Sequence, residues 1–221
     1  MEINSNSKIN IYDELRFPLT AHLNDKYMVT HTKVNELNIS NIVFSKPTIA
    51  LGNKQTDKCI TNSYNYAVIR KETNGTAVFM YDSELVLSIA IGCDVFSTPV
   101  VSKVQNWFIN KILTTLTKLG VKGAEVTTKA SRLEYMPSKC FSAYTKDEII
   151  IGARKLVGCT FKKENNVFFG HCMVYMNNSY QNLYKCLVDE VEVIKPISLL
   201  DLGIIVNKND IINILKRELD E

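Results

Sequence analysis

Apolar side chains recur at helical spacing in one long stretch of the chain. Between Thr98 and Gly120 they stand three and four positions apart, which is typical of one face of an amphipathic helix. Thr98 is a suitable N-cap, Pro99 suits the first helical position, and Gly120 marks the end. The apolar stripe consists of Val101, Val104, Phe108, Ile112, Leu116 and Leu119.

Three further helices are predicted, and the first of them opens the ordered part of the chain. This helix covers about residues 20–37, with Leu23, Met28 and Val34 on its apolar side. A short helix is expected at 178–187. An amphipathic helix is expected in the last segment, over "DIINILKREL".

The other apolar runs are short and are separated by turn residues, so they predict strands. "NIVFSKPTIALGNKQ" indicates two strands around Lys46-Pro47, closed by Gly52. "NYAVIRKETNGTAVFMYDSELVLSIAI" indicates three strands, with hairpin turns at Asn74-Gly75 and at "YDSE". More strands are expected at 147–151, 154–161 and 167–175. The pattern predicts an α+β fold, with helices on one side of a mostly antiparallel sheet.

Composition places the chain among ordinary globular proteins. It has 221 residues, 46% of them hydrophobic and 22% charged, and we expect one domain over residues 1–221, with 196–221 as a helical tail packed on it. The net charge of +3 comes from scattered lysines and does not indicate nucleic acid. The most apolar stretch, "ELVLSIAIGC", is far shorter than the roughly 20 residues of a membrane span. We therefore expect no membrane contact and, since the first residues are polar, a cytoplasmic protein.

The six cysteines do not form a metal-binding pattern. None makes a C-x-x-C pair, and none stands at ligand spacing from His22, His31 or His171, so no metal is expected. Reduced, mostly buried thiols are the simplest interpretation. Cys140 has Lys139 beside it and Lys155 on a neighbouring predicted strand, and a thiol needs such a cation to become nucleophilic. From residue type alone, Cys140 remains either a nucleophile or one more buried thiol.

Two more segments have both a functional and a structural interpretation. "GARKLVG" places Lys155 between glycines in an apolar strand, where a ligand can come close, although a hairpin with an exposed lysine is the simpler alternative. "RKETNG" leads from Arg70 into a polar turn that either cradles an anion or simply joins two strands. His171, in a predicted strand, is more typical of a satisfied core histidine than of a base.

Taken in order, five segments resemble the lipoate–protein ligase and octanoyltransferase family, which shares its fold with the biotin protein ligases. "KPTIALGNKQ", "RKETNGTAVFMYDSELVLS" and "DEIIIGARKLVGCTFKK" are similar to three of its motifs, and "VFFGHCMVYMN" and "ISLLDLGIIVNKNDIINILKRELDE" to its following strand and tail. "KCFSAYTKDEI" resembles most closely the cysteine-dependent, LipM-type octanoyltransferases, in which a C-F pair precedes the E-I strand at this spacing.

The resemblance implies an acyltransferase that moves an octanoyl or lipoyl group, through a cysteine thioester, onto a lysine of a lipoyl-domain protein. An acyl carrier protein or an acylated H-type protein would be the donor, and no cofactor would be required. Cys140 would carry the acyl group and Lys155 would contact its carbonyl. The implied substrate-binding residues are Arg70, Thr73, Asn74, Gly75, Thr76, Ala77, Gly152, Gly158 and Gly170.

Two alternatives stay open beside the transferase. One is a lipoate–protein ligase that activates lipoate with ATP and magnesium. The other is a non-catalytic family member that binds lipoyl domains or a partner subunit. The second alternative is favoured by departures from the family pattern: Asn74 and Thr76 interrupt the glycine turn, and Phe169 replaces the family histidine, with His171 two positions later.

Overall fold

The structure is a computed structural model of the chain. It describes all residues except 1–6, 17–20, 53, 57–59, 61–65, 72–75, 96–99, 131–142, 187–194 and 221. Within the described part, no helix is both long enough and apolar enough to span a membrane.

Ten strands and four α-helices are described, together with two short 3-10 helices. The strands are β1 (Lys8–Arg16), β2 (Glu36–Phe44), β3 (Thr48–Leu51), β4 (Ala67–Arg70), β5 (Val78–Met80), β6 (Leu85–Gly92), β7 (Ala124–Val126), β8 (Ile149–Ile151), β9 (Arg154–Glu164) and β10 (Val167–Val174). The helices are α1 (Ala21–His31), α2 (Val101–Lys118), α3 (Tyr180–Cys186) and α4 (Lys208–Asp220).

The strands form two sheets, and most of their pairings are antiparallel. The seven-stranded sheet has the order β1-β2-β6-β10-β9-β8-β7, with only β1 and β2 parallel. The three-stranded sheet has the order β4-β3-β5, with β3 and β4 parallel. The predicted mostly antiparallel α+β fold is therefore confirmed. Both predicted hairpins of this region are wrong. β4 and β5 each pair with β3, and β6, which follows the "YDSE" turn, belongs to the large sheet.

The core lies mainly between the large sheet and the helices α2 and α4. Alternate residues of β6, such as Leu87 and Ile89, face this side and pack with buried residues of α2, including Phe108 and Ile112. The apolar stripe read from the sequence is thus the packing face of α2. The helix begins at Val101, with Val100 as N-cap, and the predicted cap residues Thr98 and Pro99 lie outside the described residues. Gly120, at φ 92°, ends it as expected.

The second face of the large sheet carries α1 and the small sheet. Met28 and Val29 of α1 pack against Ala90 and Phe169, so the expectation of helices on one side only is wrong. Residues of the small sheet pack against the same face further along, where they meet Val86 of β6, and Met173 and Tyr175 at the end of β10.

The N-terminal region differs from the prediction in its first element and in the length of its helix. The first ordered element is the strand β1, whose alternating Ile9 and Ile11 pack against the core. The helix α1 stops at His31, because residues from Glu36 onward pair with β1 and β6. Met28 is buried as predicted, whereas Leu23 and Val34 are each 55% exposed.

Candidate functional site

Lys155 is the centre of the candidate site because its charge is buried. Its side chain is only 3% exposed, so the simpler prediction of an exposed hairpin lysine is wrong. The Lys155 ammonium lies 2.6 Å from the Glu148 carboxylate, which is itself 6% exposed. Lys155 Nζ also donates to the carbonyl oxygen of Ala143, at a longer 3.4 Å.

A local irregularity of β9 directs this lysine. Ile149 pairs with Val157 and Ile150 with Lys155, so Leu156 is an extra residue in a β-bulge. Leu156 and Val157 both lie in the core beneath α2. Strand alternation then predicts that Lys155 projects toward the opposite face, which it shares with Gly158.

The loop before β8 is fixed by hydrogen bonds from neighbouring elements. Thr127 bonds Glu148 on both sides: its backbone N–H donates to the Glu148 carbonyl at 2.8 Å, and its hydroxyl accepts from the Glu148 N–H at 3.0 Å. Asn106 of α2 donates to the Asp147 carboxylate at 2.8 Å. The Glu148 side chain itself accepts from the Thr145 N–H at 2.7 Å. Residues 143–148 therefore form a hydrogen-bonded loop beside Lys155.

The energetics of the Lys155–Glu148 pair point to function rather than to stability. Burying two charges costs desolvation energy that their attraction only partly repays, and apolar side chains of similar volume are often equally stable or better by about 1–4 kcal/mol. Removing one partner alone typically costs about 3–5 kcal/mol, because the other charge stays buried and unpaired. A buried lysine at the foot of a bulged strand is thus a feature that stability does not require.

The glycines predicted to bind substrate occupy different places. Gly158 pairs with Met173, which packs toward the small sheet, so Gly158 faces the space between the two sheets. Gly152 has φ 60° at the first position of the two-residue β8–β9 turn, where a glycine is favoured. Gly170 pairs with Phe161 on the α2 face, and a Cβ at 170 would meet the Phe161 ring at 2.7 Å. Packing therefore accounts for the glycine at 170, and the geometry does not bring it beside Gly158.

The small sheet carries the other predicted substrate residues. The Arg70 guanidinium donates to the carbonyl of Gly52 at 2.9 Å and to that of Gln55, so it joins β4 to the turn after β3. Thr76 is half-buried and Ala77 is buried at the entrance to β5. Thr73, Asn74 and Gly75 lie outside the described residues, as does Cys140, the predicted nucleophile.

The described cysteines differ in character from a catalytic thiol. Cys93, Cys159, Cys172 and Cys186 are all free and buried. Burial raises the pKa of the Cys159 thiol well above its ordinary value of 9.0, and a hydrogen bond with Cys172, its cross-strand partner, raises that pKa further. Burial also raises the pKa of the Cys93 thiol. All four buried cysteines pack as small apolar residues.

His171 forms a separate polar cluster beneath α1. Its Nε2 lies 3.0 Å from the Asp25 carboxylate, which also accepts from the Ser88 hydroxyl at 3.0 Å. The serine thus contacts the acid rather than the imidazole, which is not the order of a nucleophilic triad. Asp25 contacts Nε2 of His171, but the buried Nδ1 has no hydrogen-bond partner in the described part of the chain, so the histidine is not fully satisfied as predicted.

Sequence reasoning missed the residues that hold Lys155. Glu148 was noted only for its spacing from Cys140, although a strand lysine destined for burial needs an acid nearby. Thr127 and Asn106 gave no signal, because they reach the loop from distant parts of the chain. Among the described residues, no group of three or more His, Cys, Asp or Glu side chains is arranged to hold a metal ion.

Comparison with known proteins identifies relatives over nearly the whole chain. The family described as "Lipoyl protein ligase A/B catalytic domain" matches residues 18–201. No curated protein matches the chain in sequence. A T. acidophilum lipoate protein ligase with bound lipoic acid has a similar structure, with TM-score 0.72 and 14% identity over 99% of this chain and 84% of that one.

Two further solved structures share the fold. A lipoate-protein ligase A bound with ATP superposes with TM-score 0.70 and 14% identity, over 99% of this chain and 84% of that chain. A structure from a study of a bipartite lipoate protein ligase and its E2 lipoyl domain, from Thermoplasma acidophilum, gives TM-score 0.67 and 13% identity, over 96% and 82% of the two chains. At these identities the likeness shows a common fold, which is the one expected from the sequence.

Proposed function

Because the chain belongs to the lipoyl protein ligase A/B catalytic domain family, we propose that it is an acyltransferase that uses a cysteine thioester. The acyl group is octanoyl or lipoyl, the donor an acyl carrier protein or acylated H-type protein, and the acceptor a lysine of a lipoyl domain. A structural neighbour was studied with its E2 lipoyl domain, which supports an acceptor of this kind.

The observation that carries the proposal is the position of the buried Lys155 ammonium. It lies 3.4 Å from the carbonyl oxygen of Ala143, and Ala143 follows Cys140 by only three residues in the sequence. An extended chain covers about 3.3–3.6 Å per residue, so the chain allows the Cys140 thiol to approach Lys155. A neighbouring ammonium favours the thiolate, which is the reactive form of cysteine.

The proposed reaction needs no separate energy source, and each bond formed is matched by a bond broken. The Cys140 thiolate attacks the thioester carbonyl of the donor; a new C–S bond forms, the old C–S bond breaks, and the donor thiolate takes up a proton. The acceptor amine then attacks the Cys140 thioester; a C–N bond forms, the C–S bond breaks, and the amine proton passes to the departing Cys140 sulfur. The first step exchanges one thioester for another, and the second makes the more stable amide.

Lys155 acts on the carbonyl in both steps. Each attack places negative charge on the acyl oxygen, and a fixed N–H donor in a dry site stabilises that charge without reorganisation. Loss of one such donor commonly costs about 2.7–4 kcal/mol in the barrier. The bulge at Leu156 and the Glu148 contact support this role, since both fix the direction of the ammonium.

The alternative is an ATP-dependent lipoate–protein ligase, which the neighbour bound with ATP makes a specific competitor. The test incubates the protein and a lipoyl domain with either octanoyl-acyl carrier protein or free lipoate. Each mixture is prepared with and without ATP and magnesium, and the mass of the lipoyl domain is followed. We expect one octanoyl group on the domain without ATP and none with Cys140→Ser. Cys93→Ser, which changes a thiol outside the site, serves as control.

Two results would overturn the transferase. Acylation from free lipoate that requires ATP and survives Cys140→Ser would establish the ligase. Formation of a complex with the lipoyl domain, without transfer under either condition, would instead establish a non-catalytic binding protein.

A further inference from the structure

We infer that Glu148 is a positioning residue, whose carboxylate holds the Lys155 ammonium in the charged form and in the orientation that acyl transfer needs. The inference rests on the proposed function, which it deepens by one residue. Glu148 itself need not touch the acyl group, since it acts through Lys155.

The two carboxylate oxygens of Glu148 have separate partners. Oε1 lies 2.6 Å from Lys155 Nζ, and Oε2 accepts from the Thr145 backbone N–H at 2.7 Å. Rotation of the carboxylate would break one contact or the other. The side chain therefore links the loop of residues 143–148 to Lys155. A movement of this loop would also move the Lys155 ammonium.

The backbone of Glu148 is fixed as firmly as its side chain. Its N–H and its carbonyl both bond to Thr127, at 3.0 and 2.8 Å. The preceding residue, Asp147, adopts φ 62°, and its N–H donates to the Thr127 carbonyl at 2.9 Å. A non-glycine residue in this backbone region is uncommon and persists where surrounding contacts impose it.

Glu148 also favours the charged form of the buried Lys155 amine. In a site that excludes water, burial disfavours the charged form of an amine, and a neutral amine would stabilise an oxyanion poorly. The carboxylate offsets this burial. Both members of the pair affect the pKa of the buried Cys159 thiol, which burial raises well above its ordinary value. The Asp147 carboxylate, next to Glu148 in the chain, accepts a hydrogen bond from Asn106.

The test compares Glu148→Gln and Glu148→Asp with the wild type, using two readouts. The first is the transfer rate as a function of pH, with kcat and KM determined separately. The second is the protonation of Lys155, followed by NMR of lysine labelled with 13C at Cε and assigned through Lys155→Arg. The second readout needs neither donor nor acceptor.

We expect Glu148→Gln to lower kcat by roughly 100-fold, as for a reacting group displaced by about 1 Å, with KM for the lipoyl domain little changed. Lys155 should lose its proton at lower pH than in the wild type, and the alkaline limb of the rate profile should move with it. Glu148→Asp keeps the charge, so the proton should be retained to nearly the wild-type pH while kcat falls less. This second variant also decides the matter if Glu148→Gln does not fold.

Glu218→Gln is the matched control. Glu218 is another buried carboxylate that pairs with a lysine, Lys118, but it joins α4 to α2. Its substitution should lower the stability and leave both the Lys155 titration and the pH profile unchanged.

The two readouts distinguish a failure of the positioning role of Glu148 from a failure of the proposed acyltransferase function. If Lys155 loses its proton at the same pH in Glu148→Gln as in the wild type, the positioning role is overturned, whatever the transfer assay gives. If the titration shifts but the wild-type protein transfers no acyl group, the proposed function fails and the electrostatic role of Glu148 stands.

Discussion

Two buried carboxylates, Glu84 and Glu148, differ in the groups that donate hydrogen bonds to them. Glu84 accepts from the backbone N–H groups of Met176 and Asn177, at 2.6 and 3.2 Å, and from the hydroxyls of two serines. Glu148 accepts one backbone N–H and places its other oxygen on a lysine ammonium. The first carboxylate therefore fixes loops, whereas the second also fixes a cation.

The donors around each carboxylate distinguish a structural acid from an acid that supports a functional site. Every contact of Glu84 described above comes from a neutral donor in the two loops that it joins, and burial raises the pKa of Glu84 above its ordinary value of 4.5. Around Glu148, by contrast, the chain retains a second buried charge, although apolar pairs of similar volume are often as stable as buried ion pairs. Stability alone therefore does not explain the two buried charges of the Lys155–Glu148 pair.

The largest expected effect comes from removing the cation. Lys155→Met leaves the Glu148 carboxylate buried and unpaired, so the free energy of unfolding should fall by about 3–5 kcal/mol. Transfer should also fall by about 10²–10³-fold through loss of the donor to the acyl oxygen. Urea unfolding and the transfer assay measure the two effects.

The double variant Lys155→Met/Glu148→Leu separates these effects. It replaces both charges with apolar groups, so most of the lost stability should return while transfer stays low. Transfer at the wild-type rate in the double variant would show that Lys155 does not contact the acyl group.

A smaller effect is expected from the threonine that supports Glu148. In Thr127→Val the Glu148 N–H loses its hydroxyl acceptor, and an unsatisfied buried group of this kind costs about 1–3 kcal/mol. Because the loop carries Glu148, transfer should fall together with stability. Thr115→Val is the control: its buried hydroxyl donates only within α2, to the Lys111 carbonyl, so both quantities should change little. Equal effects from the two variants would argue against a special role for the loop.

The smallest effect concerns Glu84 and the dependence of stability on pH. Since burial raises the folded-state pKa of Glu84, the folded protein keeps a proton that the unfolded chain releases near pH 4.5. This contribution is fully present below pH 4.5 and is lost as the pH rises through the folded-state pKa.

Glu84→Gln has no such titration, so the fall in stability between pH 4.5 and 7.5 should be smaller than in the wild type. Its amide oxygen can accept the two backbone N–H groups, and its amide N–H groups can donate to the serine hydroxyls. The stability at neutral pH should therefore stay within about 1 kcal/mol of the wild type. Urea midpoints measured across this range test the point, and parallel curves for the two proteins would contradict it.

The local sequence pattern predicts most of the helices and strands. The rest of the fold depends on which strands pair with each other. The stripe of α2, the three strands from Ile149 to Val174 and the terminal helix follow from spacing and turn residues. The alternation in β1 was present in the sequence but was not recognised as a strand. The parallel pairing of β3 with β4 could not be predicted, because no local signal distinguishes it from a hairpin between β4 and β5.

The candidate site was predictable only where it lies in one continuous segment. Lys155 and its glycines stood out within "GARKLVG", and its burial confirms that this lysine is more than a surface charge. The contacts of Thr127 and Asn106 to the loop join residues that are far apart in the sequence, so only the fold reveals them. The extra residue at Leu156 likewise depends on the register of two strands.

The most direct measurement is the mass of the peptide that contains Cys140 after incubation with octanoyl-acyl carrier protein in the absence of nucleotide. A Cys140 thioester mechanism predicts one octanoyl group on Cys140 that hydroxylamine removes. On addition of a lipoyl domain, Cys140 should lose this group as the domain gains the same mass. A Cys140 peptide that is unmodified before the lipoyl domain is added, from a protein that nonetheless acylates the domain afterwards, would contradict the thioester mechanism.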